Sequence, residues 1–366
     1  MYIRSMNVIQ QEVSIRDPVV TSFGSMSARH MILVELTDSD GRRGIGESWV
    51  NFPAWAPWER KAALERVFAP ALQKKRIDNI PAFMEKLLNI HRGPALQAGA
   101  PGPLLQALCG IELALWDLLA SIKEVPLCKL WFGCDTPRVR VYASGVNPPL
   151  PVESIKHYLD CGVTLFKLKL GFGAEADCEN IRAMKSLLGE NAELAVDVNR
   201  KWTFTEAAGW LPRLRDIGVA WLEEPLCLEE EHRLGELTER KIVPIAAGEN
   251  VMMPPGADAA SLATTPVNIL QPDITKYCSA DTAVRLIAEA EKLGKRVVPH
   301  FLGSAPGQLA SAHLAAGCND PLVEWDLNPN PLHDEFYRNR LGLKDGCFIL
   351  PDRPGLGWEP QARKSR

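Results

Sequence analysis

The sequence predicts an α/β protein: a (β/α)8 barrel preceded by an α+β capping domain that the C-terminal tail completes. Three observations predict it. Past about residue 138, short apolar strands alternate with amphipathic helices eight times, over about 185 residues, the small end of the range for such a barrel. Charged residues recur where those strands end. The region before residue 126 lacks this alternation and mixes strands with longer helices. A chain of 366 residues is long for one ordinary domain and sufficient for two. The expected division is 1–125 for the capping domain, 126–327 for the barrel and 328–366 for a tail that packs back on the cap.

In chain order, residues 3–13 alternate loosely and 29–36 are rich in β-formers. Asp38-Ser39-Asp40-Gly41 is turn chemistry, and a strand resumes over 44–49. Helices are expected over 57–73, 81–91 and 104–122, the last with Leu108, Ile111, Leu115, Leu118 and Leu119 at helical spacing. The barrel strands are expected at 139–144, 165–170, 194–198, 220–224, 245–248, 269–272, 296–299 and 322–325. Helices over 177–188, 205–217, 229–240 and 279–293 fall between them. A doubly wound sheet is the alternative, but no G-x-G-x-x-G opens a helix after a strand. The tail is rich in Pro, Asn and Gly.

Composition excludes several functions. Hydrophobic residues make up 46% and charged residues 23%, with a net charge of −4 and no basic run. Neither a nucleic-acid nor an anionic-membrane partner has electrostatic support. The N-terminus lacks the apolar core of a signal peptide, and no window reaches about 18 uninterrupted apolar residues, so a cytoplasmic protein without a membrane span is expected. Nine scattered cysteines without a C-x-x-C pair read as reduced, mostly buried thiols.

The chemistry lies at the strand ends, because in a barrel these ends converge on one mouth. Asp197, Glu223 and Glu249 follow one another at 26-residue steps, one barrel unit each. Three carboxylates at close range repel, and a hard divalent cation such as Mg2+ relieves that repulsion while leaving positions for a substrate oxygen. Lys167 and Lys169 share one face of the second strand. Two ammonium groups this close are expected to depress each other's pKa, as is the nearby cation, so that one can be neutral near pH 7 and act as a base. Asp273 and His300 fall on neighbouring strands, where a carboxylate can fix the tautomer of an imidazole. Glu324 stands on the eighth strand.

With these motifs in view, the chain resembles the enolase superfamily and, within it, the mandelate racemase subgroup. The resemblance spans nearly the whole length. It rests on the helix Gly110 to Leu118, Lys167-x-Lys169, Asp197-x-Asn199, Glu223-Glu224-Pro225, Gly248-Glu249-Asn250, Asp273 and Pro299-His300, in order and at matching spacing. The muconate-lactonizing type places a lysine near the sixth strand; Asp273 and His300 argue for the racemase-like type. The resemblance implies Mg2+ on Asp197, Glu223 and Glu249. It implies Lys169 as base or acid on one face of the α-carbon, with Lys167 tuning it and touching the substrate carboxylate. His300, oriented by Asp273, would serve the other face, and Glu324 would hydrogen-bond the carboxylate. Enolase-superfamily sites of this kind abstract an α-proton to give an enediolate.

That half-reaction leaves dehydration, racemisation or epimerisation, and lactone cycloisomerisation open. Dehydration of a small acid sugar has the most weight, and a silent barrel that only binds has the least. Substrate choice is expected in two cap loops, 18–24 and 49–58. They are short of the arginines that a dicarboxylate would need, which fits a small monocarboxylate. Trp49, Phe52, Trp55 and Trp58 could stack on it or merely pack the loop down. The resemblance also implies a homo-oligomer.

Overall fold

The computed structural model describes residues 1–21, 24–135, 138–333 and 342–358. Three antiparallel strands open the chain: β1 (Ile3–Thr21), β2 (Gly24–Asp38) and β3 (Arg43–Ser48). The segment 18–24 is not a loop where it is described. After an irregularity past Ser14 the ladder resumes as Val19↔Met26, Val20↔Ser25 and Thr21↔Gly24. Val19, Val20 and Thr21 are β-branched and suit a strand, and Pro18 is tolerated on an edge. Residues 22 and 23 of that expected loop lie outside the described residues.

The helix expected over 57–73 is broken. Ala56–Ala63 passes into a π-helical turn, Leu64–Phe68, and then Ala69–Leu72. Pro70 has no N–H to give to the ladder at that junction. The next helix, Ile80–Gln97, outruns its expected end and carries Pro94 inside it. Helix Pro101–Ile122 is long and apolar enough to cross a membrane by length and composition, although no uninterrupted run suggested it. Its apolar window is 78% buried inside the protein, so it is a core helix by packing. Gly44 and Gly46 of β3 lie directly on its backbone; a Cβ on Gly46 would sit 2.1 Å from the Gly110 carbonyl oxygen.

Eight parallel strands follow: β4 (Arg138–Val146), β5 (Leu165–Lys169), β6 (Glu193–Asp197), β7 (Val219–Glu223), β8 (Ile245–Ala247), β9 (Ile269–Leu270), β10 (Arg296–Val297) and β11 (Leu322–Asp326). They pair in consecutive order from β4 to β10, and β11 returns to β4. That order is a barrel; a doubly wound sheet would reverse direction at a switch point. Tyr142, Leu165, Ala195, Trp221, Ala246, Ile269, Val298 and Leu322 fill the interior. The expected helix over 229–240 begins as a 3-10 turn, Leu228–Arg233, and becomes α-helical at Leu234–Glu239.

A short C-terminal hairpin, Leu343–Lys344 with Cys347–Ile349, pairs antiparallel to β4. Beyond it the chain returns to the cap. Leu127 N donates to Gly355 O at 2.9 Å, and Leu356 N donates to Asp117 Oδ1 at 2.6 Å.

Candidate active site

Alternation along β5 sends Phe166 and Leu168 outward beneath the helices and Lys167 and Lys169 inward. Lys167 is fully buried, 5.4 Å from the centre of the Tyr142 ring. Its Nζ bridges three acids: Glu223 Oε1 at 2.5 Å, Glu324 Oε1 at 2.7 Å and Asp197 Oδ2 at 3.8 Å. Lys169 pairs with the same oxygen of Asp197. The ladder aligns Lys169 with Asp197 and Asp197 with Glu223, so strand register alone brings these groups together. Glu223 Oε2 also accepts from Trp221 Nε1 at 3.1 Å and Gln271 Nε2 at 2.6 Å. Glu249 follows β8 by two residues and contacts His300 Nε2.

The opposite nitrogen of His300, Nδ1, lies 2.8 Å from Asp273 Oδ2. The second oxygen of Asp273 accepts from Thr275 N at 2.8 Å and Thr275 Oγ1 at 2.6 Å, which fixes the carboxylate. Glu324 Oε2 accepts from Phe301 N at 3.0 Å, beside His300. The chain leaves β6 and β7 through left-handed residues: Asn199 (φ 48°), Arg200 (φ 62°) and Glu224 (φ 39°). Non-glycine residues in that region cluster where a site over-determines the backbone. Here Asn199 N donates to Asp197 Oδ1 at 2.8 Å.

The protein's own charges hold the lysines opposite to the behaviour expected beside a cation. Burial works against charge on Lys167, yet Glu223 and Glu324 hold it well above the ordinary lysine value. Burial also opposes charge on Lys169, but Asp197, Glu223 and Glu249 together outweigh it and the repulsion from Lys167, so its pKa rises as well. The two ammonium groups still depress each other, but the converging acids decide the net sign. Burial raises Glu223 to about 7 against the pull of Lys167. Burial and the nearby Glu249 raise Glu224 to about 8. Burial is outweighed at Glu324, where Lys167 and His300 bring the value down to about 2.

One cavity of about 250 Å3 opens above these groups. Lys169, Glu249 and His300 line it; Lys167, Asp197, Glu223, Asp273 and Glu324 lie beneath its wall. Direct contact of Lys167 and Glu324 with a substrate carboxylate, as the resemblance implied, is therefore not seen in this geometry. The aromatic loop divides: Trp49 and Phe52 line the cavity, whereas Trp55 and Trp58 are 67% and 54% exposed. Sequence reasoning missed Lys276, although a lysine near the sixth strand was at issue. It lines the cavity, 3.5 Å from Glu249 Oε1 and 2.9 Å from Asn250 Oδ1, with its Nζ 4.7 Å from the centre of the Trp49 ring. The turn that Asp273 makes with Thr275 carries it there, and Asp273-x-x-Lys276 was the available signal. The case for the racemase-like type thus rests on the Asp273–His300 pair alone. Arg29 of β2 and Asn147 were missed too, since neither belongs to a strand-end motif.

Residues 152–364 match the family described as enolase C-terminal domain-like, and residues 3–131 match the mandelate racemase/muconate lactonizing enzyme N-terminal domain. The chain belongs to the enolase superfamily, mandelate racemase subgroup. It is 27% identical to arabinonate dehydratase of Saccharolobus solfataricus, over 90% of this chain and 87% of that one. It is 29% identical to D-galactarolactone cycloisomerase of Agrobacterium fabrum, over 93% and 92%. A mandelate racemase/muconate lactonizing enzyme structure from Bordetella bronchiseptica superposes with a TM-score of 0.85 at 32% identity, covering 99% of this chain and 98% of the other. This member is accordingly an enzyme, a lyase or isomerase of the superfamily.

Whether this enolase-superfamily site suits a cation can be judged from its donors. Six buried carboxylates, Asp197, Glu223, Glu224, Glu249, Asp273 and Glu324, face three buried ammonium groups, Lys167, Lys169 and Lys276. Ionised together, these carboxylates would exceed what the three ammonium groups and a protonated His300 cancel; burial instead favours the neutral forms of Glu223 and Glu224, and oxygen-rich donors of this kind suit a hard divalent ion. Among the described residues, no three acids or histidines are gathered as a ready-made cage. Lys167 and Lys169 hold Asp197 and Glu223 instead. The donor chemistry fits, and a cation would compete with the lysines for those oxygens.

Proposed function

We propose that this enzyme dehydrates a small acid sugar by abstracting the proton next to its carboxylate. The observation that carries the proposal is that Lys169 and His300 line the same cavity above an acid-rich floor. Asp197, Glu223 and Glu249 would hold Mg2+, which supplies positive charge that acidifies the α-carbon of a bound carboxylate. Lys169, released from Asp197 once that carboxylate is committed to the ion, would take the α-proton at Nζ on one face. His300, held by Asp273, gives a proton to the departing β-hydroxyl. The C–H and C–O bonds break, water leaves, and the enol tautomerises to a 2-keto acid with no change in overall oxidation state. Lys167 and Glu324 act as positioning residues from beneath: Lys167 fixes Glu223, and Glu324 holds the backbone beside His300. The arabinonate dehydratase among the relatives supports dehydration; the cycloisomerase shows that similar chains perform other outcomes.

A second reading, racemisation or epimerisation, draws on the same pair of groups, since reprotonation also needs two facing side chains. Proton NMR in D2O with Mg2+ over pooled acid sugars separates them. Loss of substrate with new 2-keto-acid signals is the expected result. Loss of the α-proton signal with the carbon skeleton intact would replace dehydration by the second reading. Absence of any exchange would overturn both. Lys169→Met and His300→Asn should each abolish turnover; a variant that still exchanges the α-proton without forming product retains the base.

A further inference from the structure

We propose that the cap side of the cavity reads a neutral hydroxyl group and rejects a second carboxylate, so that the substrate is a polyhydroxy monocarboxylate of the aldonate kind. This rests on the preceding reading of the site as one for acid sugars.

The cationic side chains lining the cavity are already matched. Arg29, the cation contributed by the cap, is 2% exposed, and its NH2 group lies 2.9 Å from Asp326 Oδ2 while Nε donates to Pro329 O at 3.1 Å. Arg200 is paired with Glu231 at 2.6 Å. Lys169 and Lys276 face Asp197 and Glu249. A second carboxylate entering from the cap side would lose its hydration beside the Arg29–Asp326 pair, whose positive charge Asp326 cancels. Breaking a buried pair strands the displaced charge.

Among the described residues, two polar atoms of side chains that line this cavity lack hydrogen-bond partners. The indole N–H of Trp49 and the Oδ1 of Asn147 are both buried and unbonded. The amide orientation of Asn147 is set by its donor end, since Nδ2 donates to Gly145 O at 2.8 Å; the free atom is therefore an acceptor. Its neighbour Asn328 gives Nδ2 to Asp326 Oδ1 at 2.9 Å. Gly145 (φ 77°) makes this arrangement possible, because a Cβ there would fall 2.1 Å from Asn328 Nδ2. An unpaired donor and an unpaired acceptor together suit hydroxyl groups, which both accept and donate. An acceptor with no proton to offer suits a carboxylate poorly.

The test compares aldonates of five and six carbons with the aldarates of matching stereochemistry, using the Mg2+-loaded enzyme and both α-proton exchange and keto-acid formation. The expected result is a kcat/KM at least about 100-fold higher for an aldonate than for its matched aldarate. An aldarate that equals or exceeds its aldonate overturns the proposal while leaving α-proton abstraction intact. Failure of every acid in both series to exchange overturns the parent reading and this one with it. Asp326→Asn releases Arg29 and should shrink the aldonate preference by about 10-fold or more. An unchanged preference in folded Asp326→Asn protein overturns the charge-cancellation argument. Should that variant not fold, Asn147→Leu provides the second check: KM for aldonates rises about 10-fold, with a smaller rise for glycerate, which has no distal hydroxyl. Equal rises for both overturn hydroxyl recognition.

Discussion

At the scale of single residues, Glu249 joins both halves of the site, touching His300 on one side and lying 3.5 Å from Lys276 on the other. Burial alone would favour its neutral form, yet His300 and Lys276 hold it well below the ordinary carboxylate range. Glu249→Gln preserves shape and removes the charge. Turnover should fall by at least about 100-fold, and Mg2+ binding measured by titration calorimetry should weaken in parallel, while the unfolding midpoint stays near wild type. Retained turnover would remove Glu249 from the proposed metal ligands. The strand-end acids were legible because a barrel repeats at a nearly constant interval and its strand ends share one mouth. The commitment of Arg29 was not, because its partner Asp326 is 297 residues away and nothing local marks the pair. The direction in which the protein's own charges move the lysine pKa values was hidden for the same reason: the sign depends on how many acids converge, which single strands do not reveal.

Elements whose identity follows from local pattern were easiest to read, and those that depend on contact were not. Alternation of strands and helices gave the barrel, but 18–24 looked like a loop because Pro18 and Gly24 punctuate it, whereas pairing with β2 extends the strand to Thr21. The π-helical turn at Leu64–Phe68 also lay beyond a simple helical period. Contact explains a feature that sequence leaves unmotivated, the glycines at 44 and 46 in a β-strand. They allow β3 to lie on the backbone of helix Pro101–Ile122, the seam on which the cap is built. Gly46→Ala places a methyl group 2.1 Å from Gly110 O and 2.5 Å from Ala114 N, both backbone atoms that cannot rotate away. Urea unfolding should show a loss of roughly 3 kcal/mol. A variant as stable as wild type would mean that β3 and the helix separate freely.

Across the whole molecule, two buried carboxylates tie the parts together. Glu47 of β3 accepts from Ser304 N at 2.9 Å and Gly307 N at 2.8 Å, so a cap residue closes the N-terminus of the barrel helix Ala305–Ala315. Asp117 accepts from Ile45 N at 2.7 Å and from Leu356 N, joining cap strand, cap helix and C-terminal segment at one side chain. Burial pushes Asp117 up to about 7 despite those two hydrogen bonds. Between about pH 4 and 7 the native protein therefore keeps a proton that the unfolded chain has released. This group's contribution to stability is fully present below the unfolded value and is lost as pH rises through 7. Asn at this position does not titrate. The stability of wild type minus that of Asp117→Asn should consequently fall by on the order of 2–3 kcal/mol between pH 5 and pH 8. Urea unfolding of both proteins at several pH values measures it, and subtraction cancels the titration of every other group that the two share. A difference that stays flat would mean that Asp117 is ionised throughout, with its two N–H donors sufficient to hold the charge; a difference that rises would mean that the junction strengthens on ionisation, opposite to what burial dictates.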